Sequence, residues 1–439
     1  MPKKKTALTI EERLQQALVP AEEQPYEVPE NWVWVRLIGN VNSCLDGYRK
    51  PINSSERAKR VGKVPYYGAT GQVGWIDDYL TNEHLVLLGE DGAPFLDLLK
   101  DKAYIIFGEA WVNNHAHILK SYFGEIGNVF LMHYLNMVDY KDYVKGTTRL
   151  KLTQGSMQLM PFPLPPLSEQ QRIVERIEEL FAKLDEAKER LQEVADSFAV
   201  RKAAILHKAF TGELIGKQVT ELVPLENLVD LIKIGPFGSS LHESDYIENG
   251  IPLVNPKHIV QQRIVPQSKI SISDEKAEEL SSYKLKENDI VLGRRGEMGR
   301  CAPISNREEN WICGTGSMII RLKKEYDAKL YSLILGSQAT VTYLENSAVG
   351  STLKNLNEKI VRKIPVPQFS SEEQHEIVRL IDDLLARERS AQQATEQALA
   401  SIDLMKKSIL ARAFRGELGT NKASEASALE LLKQVLAED

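Results

Sequence analysis

The stretch Ser168–Leu214 occurs twice in this chain, and that repetition constrains everything else about it. The second copy runs from Glu372 to Leu418 at a constant offset of 204 residues, with no gap. Glu169, Gln170, Ile173, Val174, Ile177 and Leu180 return as Glu373, Gln374, Ile377, Val378, Ile381 and Leu384. At the far end Ala209-Phe210 and Gly212-Glu213-Leu214 return as Ala413-Phe414 and Gly416-Glu417-Leu418. A match this long, with both ends preserved, identifies a tandem duplication.

Both copies read as long helices with a heptad seam. In the first, Ile173, Ile177, Leu180, Leu184, Ala187, Leu191, Val194, Phe198 and Ile205 alternate in steps of four and three, interrupted only by Arg201. The second carries Ile377, Ile381, Leu384, Ala391, Ala398, Ile402, Met405 and Ile409, weakened by Glu388 and Thr395. Such spacing keeps one apolar stripe toward a partner helix, as in a coiled coil. Ser168 with Gln171, and Ser371 with Gln374, are expected to form capping boxes. Gly212 and Gly416 suit helix ends. Each helix is expected to be roughly 60 Å long at about 1.5 Å per residue. Helices this long, with charged outer faces, do not fit a compact globular core.

The 439 residues allow two or three domains. Cys44, Cys301 and Cys313 show no paired or metal spacing, which points to a reducing cytoplasm. No run of apolar residues reaches the length of a membrane span, and Lys3-Lys4-Lys5 does not open a secretory signal. The net charge of −6 is opposite to the basic excess of most domains that bind nucleic acid alone. DNA binding would therefore depend on local patches or on partners that supply phosphate contacts.

Along the chain, Thr9 and Glu12 predict a capped N-terminal helix, followed by a connector punctuated by Pro20, Pro25 and Pro29. Short strands and glycine turns then fill the region to about 160, with a helix expected over 125–144. Pro161-Phe-Pro-Leu-Pro-Pro166 reads as a stiff, extended boundary. The second half repeats this order, with Ile364-Pro-Val-Pro367 before its helix. The β-rich regions are related to each other too. Leu88-Gly89-Glu90-Asp91-Gly92 aligns with Leu292-Gly293-Arg294-Arg295-Gly296, Gly146-Thr147-Thr148 with Gly350-Ser351-Thr352, and Leu152 with Leu356. A shared frame whose turns carry different side chains suits two recognition surfaces for different targets.

Catalytic signatures are missing. Gly212-Glu-Leu-Ile-Gly216-Lys217 is one residue short of a phosphate loop and ends without Ser or Thr. The glycines around Arg294-Arg295 lack dinucleotide spacing, and Pro165-Pro166 lies between leucines, unlike the Pro-Pro motif of amino-methyltransferases. His115 and His117 could share one face of a strand, without a third metal ligand in sight. Glu90-Asp91 reads as a solvated turn tip. The chain is expected not to be an enzyme, to hold no metal and to bind no cofactor itself.

The candidate DNA-contact residues follow from the basic clusters and from amide and hydroxyl side chains near the shared turns, since Arg reads guanine edges and Asn or Gln pairs with adenine. In the first half they are Arg49, Lys50, Arg60, Tyr67, Thr70, Gln72, Glu90, Asp91, Asn113, Asn114, Arg149 and Lys151. In the second half they are Ser239, Lys257, Arg294, Arg295, Arg300, Thr315, Ser317, Lys354 and Asn355.

Leu164-Pro-Pro-Leu-Ser-Glu-Gln-Gln-Arg-Ile-Val174 with the helix after it, Lys202–Leu214, their second copies, and Val28-Pro-Glu-Asn-Trp32 together resemble the specificity subunit of bacterial type I restriction-modification systems. The likeness covers almost the whole chain, with a looser second junction, Pro365-Val-Pro-Gln-Phe-Ser-Ser-Glu-Glu-Gln374. The resemblance implies an α+β chain: two β-rich target recognition domains, separated by two long helices that form an antiparallel coiled coil, in a pseudo-twofold tandem repeat. The boundaries are then an N-terminal helix and connector at 1–27, recognition domains at 28–163 and 217–367, spacer helices at 164–216 and 368–418, and a C-terminal tail or short helix at 419–439. It further implies that each domain reads one half of a split double-stranded DNA site. Two adenine-N6 methyltransferase subunits carrying S-adenosylmethionine, and motor-nuclease subunits using ATP and Mg, are the implied partners. A self-contained DNA-modifying enzyme, or a coiled-coil scaffold with ligand-binding β domains, are the alternatives.

Overall fold

The computed structural model describes residues 9–237, 240–348 and 355–438. The chain divides into two compact units, residues 1–192 with 396–439, and residues 193–395. Both division points fall inside the long helices Leu167–Phe210 and Ser371–Ala413, of 44 and 43 residues.

The two units repeat one sheet topology. In the first, strands Asn42–Cys44, Ala116–Ser121, Leu85–Gly89 and Ala103–Ile106 lie in that order. In the second the order is Val229–Ile234, Ser317–Leu322, Asp289–Gly293 and Cys301–Pro303. The inner strands Leu85–Gly89 and Asp289–Gly293 are related by the repeat offset, and all five residues of each are buried. Their apolar runs (Leu-Val-Leu-Leu and Ile-Val-Leu) suit a strand covered on both faces. A further sheet in each unit holds a parallel pairing: Val64–Gly68 beside Glu109–Val112, and Ile251–Val254 beside Ile312–Cys313.

The proline-rich boundary is itself a strand. Pro161–Leu164 pairs antiparallel with Val33–Arg36, and Pro365–Val366 with Val223–Pro224. A two-stranded pair needs N–H groups only from alternate residues, so Pro161 and Pro163 are tolerated there. The helix expected over 125–144 spans Gly124–Met137. The N-terminal helix Ile10–Ala17 starts with the expected capping box, and the C-terminal segment contains a helix, Ala428–Glu438. Ala17, Ala428, Leu432 and Leu436 of these two helices are buried in the first unit's core.

Each long helix meets the other in antiparallel order. In the first unit Asp185 pairs with Lys406 at 2.6 Å and Lys188 with Asp403 at 3.2 Å, so numbers rise on one helix as they fall on the other. In the second unit Arg201 and Glu388, the polar interruptions of the two heptad series, form an ion pair at 3.0 Å. The guanidinium also lies 4.4 Å over the ring of Phe198. Thr395, the other interruption, is buried and donates its hydroxyl to the Ala391 carbonyl at 2.9 Å.

The expected seam is present in part. Ile173, Ile177, Phe198, Ile377, Ile381 and Ile402 are buried, while Leu180, Leu184, Leu191, Ile205, Leu384 and Ile409 are partly buried. Val194 and Met405 depart from it, at 41% and 50% exposed. The departure is local to these two positions, because Phe198 and Ile402 beside them stay buried. The caps also differ from expectation. Pro166 offers its carbonyl to the N–H groups of Glu169 and Gln170, which places Ser168 inside the first helix rather than at its cap. In the second copy the box is Ser370 with Glu373, one residue earlier than expected. Gly212 and Gly416 close their helices with φ of 80° and 73°, as expected of glycine at such ends.

Candidate nucleic-acid interface

The inner strand of each unit ends in the turn that the repeat offset relates. In the first unit the turn is Glu90-Asp91-Gly92. Its main chain is fixed on both sides, because Glu90 N–H donates to the His115 carbonyl and Leu152 N–H to the Glu90 carbonyl, each at 2.8 Å. Asp91 and Lys151 form a β-bridge. In the second unit Leu356 N–H donates to the Arg294 carbonyl at 3.0 Å, and Arg295 bridges Asn355. Every partner in the second set lies 204 residues after its counterpart, so the turn and the segment that crosses it were duplicated together.

Side chains at the first turn form a closed ionic network. Glu90 is buried and accepts from Arg49 and, at 2.7 Å, from Lys151. Arg49 also contacts Asp46 at 2.9 Å. Burial pushes the Glu90 carboxyl up, but Lys151 and Arg49 outweigh it and leave the group below its ordinary value. Asp46 behaves alike: burial raises it, while His117, the Ile118 N–H and Arg49 bring it lower overall. Asp91 accepts from Arg149 Nη2 and meets His115 Nδ1, both at 2.6 Å. Glu90-Asp91 is therefore not a solvated tip. The segment around Arg149–Leu152 folds over it.

His115 and His117 do not act together. His115 faces Asp91, whereas His117 Nδ1 lies 2.6 Å from Asp46 and Nε2 lies 3.0 Å from the Leu152 carbonyl. Cys44, Asp46 and His117 place their donor atoms within 4.8 Å of one another. They do not fit a metal centre. Both His117 nitrogens are turned toward protein oxygens, Arg49 already occupies Asp46, and burial followed by Asp46 pushes the Cys44 thiol up to about 12.

The other first-half candidates separate into two groups. Lys50 and Arg60 flank Trp111, with Arg60 4.6 Å over its ring and ion-paired to Asp77 at 2.6 Å. Both therefore support the parallel strand pair. Tyr67 is partly buried and its ring lies 6.0 Å from that of Tyr104. Asn113 is buried and accepts from His115 N–H at 2.8 Å, so it braces a loop rather than facing outward. Thr70, Gln72 and Asn114 are exposed.

At the second turn the charge is reversed and the network is open. Arg294 is 6% exposed, donates Nε to the Leu356 carbonyl at 3.3 Å and lies 5.9 Å from the Phe237 ring. Burial, then the neighbouring Arg295, lowers the pKa of its guanidinium. Among the described residues, Arg294 Nη1, Ser317 Oγ and Asn355 Oδ1 are buried without a hydrogen-bond partner. Both Arg294 and Ser317 are buried rather than presented at the surface: Ser317 starts a central strand, and Arg294 is held under the crossing segment through the Leu356 carbonyl. Arg295 is exposed. Arg300 is ion-paired to Glu297 and donates to the Pro256 carbonyl at 3.3 Å. Lys257 is exposed and Thr315 partly buried. Ser239, Lys354 and the Gly350–Thr352 match lie outside the described residues. The structure adds Asp46 and the two histidines to the first site. Nothing in their spacing links them to Glu90, because the contacts join separate strands and loops.

Residues 29–196 and 226–399 match the family described as type I restriction modification DNA specificity domain. The type I restriction enzyme EcoBI specificity subunit of Escherichia coli is 29% identical over 316 residues, 65% of this chain and 66% of that one. A putative type I specificity subunit of Haemophilus influenzae is 34% identical over 145 residues, 33% of this chain and 36% of that one. This chain thus spans just under two thirds of the first relative and about a third of the second. In fold it is similar to the HsdS subunit from Thermoanaerobacter tengcongensis, with a TM-score of 0.60 at 17% identity, covering 90% of this chain and 100% of that one. With two tandem matches that together span most of its length, the chain belongs to the type I restriction-modification DNA-specificity family.

Proposed function

We propose that this chain is the DNA-reading, non-catalytic subunit of a type I restriction-modification complex. Each recognition domain reads one half of a bipartite, asymmetric double-stranded site, and the paired long helices hold the gap between the halves. The observation that carries this reading is the duplicated turn: one scaffold position, braced by one main-chain bond, bears Glu90-Asp91 in one domain and Arg294-Arg295 in the other. One crossing bond shared by turns of opposite charge suits two different base sequences. A protein with two-fold-related reading heads meets two such half-sites on opposed strands.

Catalysis belongs to partners in this proposal. Two adenine-N6 methyltransferase subunits bring S-adenosylmethionine, and motor-nuclease subunits bring ATP and Mg. Those partners also supply much of the phosphate attraction that a chain of net charge −6 lacks. Flipping an adenine out of the duplex requires DNA held firmly on both sides, which is the task left to this chain.

The test is a map of N6-methyladenine in DNA from cells co-expressing this chain with the adenine methyltransferase subunit. A two-part motif with a fixed gap, lost when this chain is omitted, is the expected result. A chain that forms no complex with the methyltransferase and shows no DNA preference would support the scaffold alternative instead.

A further inference from the structure

The two turns differ in where the outward cation comes from. In the first domain the turn supplies an acid, Asp91, and the crossing segment supplies the base. Asp91 holds Arg149 Nη2 at 2.6 Å, and the Arg149 side chain remains 59% exposed. In the second domain the turn itself supplies the exposed guanidinium, Arg295, opposite Asn355, with no ion pair or side-chain hydrogen bond to it among the described residues. The preceding residue is withdrawn in both, Glu90 at 8% and Arg294 at 6% exposure. Each domain therefore has an exposed arginine beside the equivalent bridge, on the crossing segment in the first and on the turn itself in the second.

We propose that Arg149 and Arg295 are specificity-determining residues, each reading the edge of a guanine in its own half-site, with Asp91 as the positioning residue for Arg149. This rests on the DNA-reading role proposed above. A guanidinium presents a rigid planar fork of N–H donors that matches guanine O6 and N7, whereas the donors of an ammonium rotate on a flexible stem and hold that geometry less firmly. The carboxylate 2.6 Å from Arg149 disfavours a phosphate contact, because it repels a full phosphate charge more strongly than the partial charges of a neutral base edge. It also fixes one nitrogen of the guanidinium, which leaves the remaining donors aimed rather than free to swing. Arg295 occupies the bridge position equivalent to Asp91 and is exposed there, so the second turn carries its own guanidinium where the first holds one through a carboxylate. Each half-site should then contain a G·C pair whose identity depends on one of these two residues.

The experiment uses the chain co-expressed with its methyltransferase, with methylated motifs mapped for the natural sequence and for Arg149→Ala, Arg149→Lys, Arg295→Ala, Arg295→Lys, Asp91→Asn and Asp91→Glu. Arg149→Ala and Arg149→Lys should each relax one G·C position of one half-site, by roughly 5- to 150-fold in discrimination. The Arg295 variants should do the same in the other half-site only. Asp91→Asn should partly relax the position that Arg149 controls, and Asp91→Glu should restore it. The lysine and Asp91 variants preserve bulk and polarity, so they test the idea even if an alanine variant folds poorly. Unchanged motifs, relaxation at an A·T position, or an even loss over all sites that shrinks as salt rises would each overturn the proposal. A natural chain that yields no two-part motif would instead overturn the DNA-reading role beneath it.

Discussion

Phe414 and Phe210 occupy equivalent places in the repeat but unequal surroundings, and the difference can be measured. Phe414 is fully buried in the first unit's core, with ring centroids 5.0 Å from Phe130 and 5.2 Å from Tyr134. Truncating a buried phenylalanine to alanine removes its transfer energy and leaves a cavity, about 3–5 kcal/mol in total. Phe210 is only partly buried and lines an open apolar groove with Leu206, Leu222, Ile334, Pro365 and Pro367. Part of the transfer term is at stake there and no closed cavity remains, so Phe210→Ala should cost about 1–2 kcal/mol. The assay is hydrogen exchange followed separately in Leu85–Gly89 and Asp289–Gly293, the matching inner strands of the two units. Phe414→Ala should speed exchange in the first strand by about two to three and a half orders of magnitude, since 1.4 kcal/mol corresponds to tenfold. Phe210→Ala should speed exchange in the second by about one order. Equal effects of the two substitutions, or an unaltered first strand in Phe414→Ala, would refute the argument that burial rather than repeat position sets the energetics.

Two further outcomes are expected. Asp46 and Glu90 are both held below their ordinary values in the folded chain, so their stabilisation is complete above the ordinary carboxylate pKa of about 4 and is lost as pH falls below it, through their depressed folded values. The protection factor of Leu85–Gly89 should therefore fall in acid more than that of Asp289–Gly293, and Asp46→Asn with Glu90→Gln should flatten that difference; a profile unchanged by the pair would contradict it. Inserting one heptad into both long helices adds about 10 Å to each, so under the proposed spacer role the methylated motif should keep both halves while its gap grows by about three base pairs; altered halves with an unaltered gap would contradict that role.

Much of the fold was legible because duplication makes the chain its own comparison. The offset that relates Ile173 to Ile377 also relates the inner strands and the bridges Asp91 to Lys151 and Arg295 to Asn355. Periodicity identified the long helices and predicted weak points at Arg201 and Glu388. It could not show that those two side chains meet, because that requires the register between helices and not within one. Cap positions slipped by one or two residues for a related reason. The Pro166 carbonyl serves as a cap without any sequence signature of its own. The site was harder still. Glycine-flanked Glu90-Asp91 looks solvated in sequence and Arg294-Arg295 reads as a pair of DNA contacts, and only a crossing segment about sixty residues away encloses their first members. Which candidate faces outward is thus a property of the crossing, and neither turn carries it locally.

The brace at these turns has an evolutionary consequence. In both domains the bond is peptide to peptide, Leu152 N–H to the Glu90 carbonyl and Leu356 N–H to the Arg294 carbonyl, and peptide groups are indifferent to the side chains they carry. Codons for the outward residues can therefore mutate while the polypeptide continues to fold. Because the two turns sit on separately packed cores, one can drift without the other. Under the proposed DNA-reading role, one half of the recognised site could thus change while the other is kept.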